Sequence, residues 1–131
     1  KKLTSLKGIA ENAEYINIGF CDNLKKMDYL PREIRRITAC ASGIETLEGI
    51  HKIAPKLEHL QINSNPVESG ILSLMKIPTF RIQSLTYRTG NEDSPLALAG
   101  DILDNIDKSG GDILDAQSDL IDAGLEKMAT F

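Results

Sequence analysis

The chain has 131 residues, of which 41% are apolar and 26% charged, and its formal net charge is −4. That is the size and composition of one globular domain. No apolar run approaches the roughly 20 residues of a membrane-spanning helix, no secretory leader is apparent, and the cysteines Cys21 and Cys40 are too few for a disulfide framework.

Taken in order, the chain begins at Lys1 without Met, and Leu3, Leu6 and Ile9 step by three. Steps of three suit a helical turn or a short 3₁₀ segment, so residues 1–10 are expected to be an incomplete coil or N-terminal cap. Residues 13–31 make the first clear unit. Ala13, Ile16, Ile18 and Cys21 occupy its first, fourth, sixth and ninth places, and Leu24, Met27 and Leu30 follow at steps of three. Pro31 stops that segment and leads into an extended one. The second unit places Ile34, Ile37, Ala39 and Ser42 the same way, with a strand at about 36–39 and the ladder Ile44, Leu47, Ile50. The third is the clearest: Leu57, Leu60, Ile62 and Asn65, with a strand at about 58–62, then Val67, Ile71, Leu74 and Ile77 in a helical turn ended by Pro78. In the fourth, Ile82, Leu85, Tyr87 and Gly90 take the four places, with a strand at about 82–87.

Unit starts at residues 13, 34, 57 and 82 are spaced by 21, 23 and 25, inside the roughly 20–29-residue period of one repeat architecture. The pairs Ile16/Ile18, Ile37/Ala39, Leu60/Ile62 and Leu85/Tyr87 alternate as a half-buried strand does. At the ninth place the chain turns, and Asn65, Ser42 or Cys21 can satisfy the backbone groups freed there. Gly90 cannot, so the last unit is expected to end differently.

Beyond Thr89 the composition changes. Residues 1–90 carry 13 Lys/Arg against 9 Asp/Glu, a balance of +4, whereas residues 91–131 carry 2 against 10, a balance of −8. Ser94 followed by Pro95 is a helix start, predicting a helix over about 95–107 that Ser109-Gly110-Gly111 breaks. A second helix is predicted from Asp112 to about Ala123, with Gly124 as its C-terminal cap. Ile113, Leu114, Ala116, Leu120, Ile121 and Leu125 are expected to share one face of it.

On these places, residues 3 to about 90 resemble a leucine-rich repeat domain. The resemblance implies an α/β fold: a short leucine-rich repeat solenoid with a parallel ribbon of about four strands and a C-terminal two-helix cap. Residues 1–90 would be the coils and residues 91–131 the acidic cap covering the open end. Around residues 111–125 the tail loosely resembles C-terminal tails of large-phage proteins with similar repeats, which implies host cytoplasm or a virion as its location. Cysteine usage independently favours a reducing compartment.

The family's concave face carries over to three rows: Tyr15, Arg36, His59 and Ser84; Asn17, Thr38, Gln61 and Thr86; and Gly19, Cys40, Asn63 and Arg88, flanked by Phe20. Polar groups with Tyr and Arg anchors suit a protein partner, so the expected function is non-catalytic protein–protein interaction. A structural part in a phage assembly, with self-association of basic coils and acidic tail, is the alternative. Lys25, Lys26, Arg32, Arg35 and Arg36 form a basic cluster that could meet nucleic acid phosphates, but negative overall charge and few interleaved aromatics argue against it. No cofactor or metal is expected. His51 and His59 are not spaced to converge, and Cys40, a candidate thiolate beside Arg36 and His59, has no separate orienting group or oxyanion hole. The acids Asp101, Asp104, Asp107, Asp112, Asp115, Asp119 and Asp122 step by three to five, as a solvated helix stripe rather than a calcium loop.

Overall fold

The computed structural model describes residues 12–19, 30–88 and 93–131. Expectations resting on Leu3, Leu6, Ile9, Phe20, Cys21, Leu24, Lys25, Lys26, Met27, Thr89 and Gly90 lie outside the described residues. The chain is α/β, with an open four-stranded parallel sheet in the order of the sequence. Its strands are β1 (Tyr15–Asn17), β2 (Arg36–Thr38), β3 (His59–Gln61) and β4 (Leu85–Thr86). Tyr15 pairs with Arg36, Arg36 with His59, and Leu60 with Leu85, so successive strands are offset by the 21, 23 and 25 residues of the sequence spacing.

Each strand is short because its pattern is short. One apolar residue, Ile16, Ile37, Leu60 or Leu85, points inward between polar neighbours, and the next inward place is Ile18, Ala39, Ile62 or Tyr87. All eight are buried, none exceeding 9% exposure. At the turn after β3, Asn65 is buried and takes on the freed backbone. Its Oδ1 accepts from the N–H groups of Ser42 (2.8 Å) and Ile44 (3.1 Å), while its Nδ2 donates to the carbonyls of Ala39 (2.5 Å) and Ile62 (2.9 Å). Ser42 does the same one unit earlier, its hydroxyl donating to the Ile18 carbonyl at 2.5 Å. Each turn residue therefore ties its own unit to the preceding one.

The return segments are helical only briefly. α1 (Ile50–Ile53) follows Leu47, and a 3₁₀ turn, Ile71–Lys76, stands where a helical turn was expected. Ser73 at its centre is buried and links the two: its hydroxyl oxygen accepts from the His51 backbone N–H (3.0 Å) and lies 2.6 Å from His51 Nδ1. A parallel bridge between Thr46 and Ser69 holds the outer edges together.

The last strand corrects the expected one. Residues Ile82–Ser84 form a 3₁₀ turn and only Leu85–Thr86 pair with β3. That turn packs on α2 (Pro95–Lys108), where Gln83 donates to Asp107 at 2.8 Å, so tertiary contact outweighs local extension. The Ser94 hydroxyl caps α2, accepting from Ala97 N–H. α3 (Ile113–Asp122) opens on a capping box between Asp112 and Asp115, and it closes with Leu125 N–H donating back to the Leu120 carbonyl around Gly124. It packs on the Ile71–Lys76 turn rather than only behind α2. The C-terminal residues run on along the return segments: Lys127 and Phe131 carbonyls accept from Gly70 and Gly49 N–H groups, and Lys76 lies 4.1 Å from the Phe131 ring centre. Leu96, Ala99, Leu103, Ala116 and Leu120 belong to the same core as the strand residues. The expected apolar face of α3 is split, however. Ala116 and Leu120 are buried, while Leu114 (68%) and Ile121 (46%) are exposed.

Candidate functional site

With the inward places filled, the alternate strand residues form the open face of the sheet. Tyr15, Arg36 and His59 stand side by side in register, all exposed, and Asn17, Thr38, Gln61 and Thr86 make the adjoining row. Same-face neighbours on adjacent strands lie about 5 Å apart, so the Tyr15 ring, the Arg36 guanidinium and the His59 imidazole form one continuous band. Tyr15 is 54% exposed, unusual for a large ring. Among the described residues, the Arg36 side chain makes no ion pair or hydrogen bond, in contrast to its neighbour Arg35.

Two hollows adjoin this band. One, of about 370 Å³, is bounded by Glu14, Tyr15, Arg35, Arg36, Glu58 and His59. The other, of about 400 Å³, runs over Arg36, Thr38, His59, Gln61, Gln83, Ser84 and Thr86. Arg36 and His59 line both. The first has a charged rim: Arg35 reaches Glu58 at 2.6 Å and Glu14 at 3.4 Å. The Glu58 carboxylate holds the Arg35 guanidinium above its ordinary range, with Glu14 and Glu33 adding to it. One unit edge further out, Lys56 pairs with Glu33 at 2.8 Å and holds that carboxyl below its ordinary range. The rim carboxylates thus have cationic partners, and the rows they border contain none. What the face offers is one uncommitted cation, an imidazole, an aromatic ring and several amide and hydroxyl groups.

The expected site residues divide accordingly. Tyr15, Arg36, Thr38, His59, Gln61, Ser84 and Thr86 line the hollows, although Ser84 does so from the 3₁₀ turn rather than from a strand. Asn17 is exposed on the face and accepts from Gly19 N–H at 3.1 Å. Asn63 is half-buried: its amide donates to the Cys40 sulfur at 3.3 Å, and its Oδ1 is buried without a hydrogen-bond donor among the described residues. Arg88 is drawn away to Asp101 on α2, at 2.5 Å, so it is not brought into the band. Phe20 lies outside the described residues.

Three rim residues escaped the sequence reading of the face: Glu14, Arg35 and Glu58. A signal was present, since they precede Tyr15, Arg36 and His59 by one place and alternate in sign at the repeat spacing. Part of the acidic stripe is also structural rather than solvated. Asp101 accepts from the Tyr87 hydroxyl at 2.6 Å as well as from Arg88, and Asp107 accepts from Gln83. Among the described residues, Cys40 is a free thiol and no group of three or more His, Cys, Asp and Glu side chains converges. No helix among them is long and apolar enough to cross a membrane.

Comparison of the chain with protein-family models, with curated proteins and with solved structures found no match.

Proposed function

We propose that this chain is a non-catalytic protein-binding module of the leucine-rich repeat kind, a short solenoid that receives its partner on the open strand face. Support for the repeat reading comes from the in-register offsets of 21, 23 and 25 residues and from Asn65 and Ser42 tying successive turns. The binding reading rests on one observation: Arg36 and His59 line both hollows, with Tyr15 beside them in the same row. Aromatic and arginine side chains are the usual anchors of protein interfaces. With rim carboxylates already paired and none in the rows, the partner segment brings acceptor groups, carboxylates or backbone carbonyls, to Arg36 and the amide side chains.

The test is capture from a lysate of the source organism by the wild-type chain and by the triple variant Tyr15→Ala, Arg36→Ala, His59→Ala. All three side chains are exposed, so the variant should keep its circular dichroism and melting temperature. A partner retained by the wild type and lost by the variant supports the reading. Equal capture by both refutes this face.

A further inference from the structure

The helix α3 carries a surface that the strand-face reading does not use. Around its axis at about 100° per residue, Ile113, Ala116, Gln117 and Leu120 face the body. Ala116 and Leu120 are buried there, and Gln117 donates to the Ala129 carbonyl at 3.3 Å. Next to that face runs a second stripe, Leu114, Ser118 and Ile121, with Leu114 68% and Ile121 46% exposed. Beyond the stripe lies a ridge of Asp115, Asp119 and Asp122, all exposed. The apolar side of α3 is therefore wider than the core it covers.

Apart from Asp115, the ridge makes no contribution to the helix that would explain it. Asp is a poor helix former. Asp119 and Asp122 sit toward the C-terminal end, where the helix dipole disfavours negative charge, and α3 has no cation in its last turn. Asp115 alone serves the fold, through the capping box. Two copies meeting α3 to α3 would bring the two ridges together, so charge opposes pairing of like with like.

We propose that the stripe of α3 docks a cationic amphipathic helix of a partner protein, its apolar residues seated on Leu114 and Ile121 and its Lys or Arg side chains on Asp119 and Asp122. Leu114 and Ile121 are two helical turns apart, about 10 Å at the normal rise, which matches the anchor spacing of a partner helix in the helix-on-groove mode. This surface is on a different element from Tyr15, Arg36 and His59, and it stands or falls without them.

The probe is a synthetic peptide of about 18 residues with Leu on one helical stripe and Lys on the remaining face, titrated calorimetrically into the full chain. Its control is a peptide of equal composition with the Leu residues scattered. The striped peptide should bind and shift the α3 amide resonances, and the scattered one should bind at least about tenfold more weakly. Leu114→Ser and Ile121→Ser should each weaken binding about tenfold. Asp119→Asn with Asp122→Asn should weaken it and flatten its salt dependence. Leu98→Ser, which removes another exposed leucine on α2, should change nothing. Equal binding of both peptides, or binding indifferent to Leu114 and Ile121, would overturn the proposal. So would a concentration-dependent dimer in sedimentation that Leu114→Ser with Ile121→Ser abolishes, since the stripe would then belong to a second copy.

Discussion

Asn65 bears more of the fold than any other polar residue described. Replacing it with Ala strips partners from two buried N–H groups and two carbonyls, and each unmet buried group costs about 1–3 kcal/mol. Asn65→Ala should therefore lower unfolding free energy by at least about 3 kcal/mol in urea denaturation. His51 gives a second residue-level expectation. Burial, with Lys76 and Lys52 nearby, holds its imidazole below the ordinary range, so the folded protein favours the neutral ring beside Ser73. The unfolded chain takes up a proton at about pH 6.5. Stability is thus fully present above about pH 6.5 and falls as the pH drops toward the lowered folded value. Glu33, whose carboxyl is also held low, loses stability on acidification in the same direction. The measurement is consequently a difference: the loss between about pH 7.5 and pH 5.5 should be smaller in His51→Asn than in the wild type.

At the scale of elements, the seam between sheet and tail is fixed by Tyr87. Its ring lies on α2 at Gly100, where an added Cβ would stand 2.4 Å from ring carbons. Its hydroxyl is held by Asp101, and burial together with that carboxylate pushes the phenol up to about 12. The ring cannot swing aside without breaking that bond. Gly100→Ala should carry an overpacking toll of about 1–3 kcal/mol, offset by about 1 kcal/mol because Ala is the better helix former, for a net loss of up to about 2 kcal/mol. Thermal denaturation reads the sign: a melting temperature above wild type would mean the seam yields. Gly70 has less room still, with φ at +81° and Glu48 backbone nitrogen 2.3 Å from a would-be Cβ. Gly70→Ala should therefore melt lower than Gly100→Ala, because backbone rather than a ring must move.

For the molecule as a whole, the acidic tail is part of the core and not an appendage. A chain ending at Ser109 loses α3, the covering of the Ile71–Lys76 turn, and the two carbonyls that accept from Gly49 and Gly70. Hydrogen exchange of amides in residues 47–76 should accelerate sharply in that truncation, and unchanged protection would show that the sheet and its returns stand alone.

Much of this was legible in the residues themselves. The spacing of Ile16, Ile37, Leu60 and Leu85 anticipated the register seen between the strands, because a one-residue slip would turn these side chains out of the core; the parallel order was an expectation of the repeat resemblance. Ser94-Pro95, Asp112 and Gly124 marked the helix limits by local hydrogen bonding and backbone conformation, which neighbours in sequence decide. What the sequence left open were choices made between distant segments. Whether Ile82–Ser84 extends or coils depends on α2; whether Arg88 joins the strand face or leaves it depends on Asp101. Which of Leu114, Ala116, Leu120 and Ile121 are covered depends on how wide a surface α2, the Ile71–Lys76 turn and the C-terminal residues together present to α3. Periodicity states which residues share a side of an element, but the area available to cover them is set only when the elements meet.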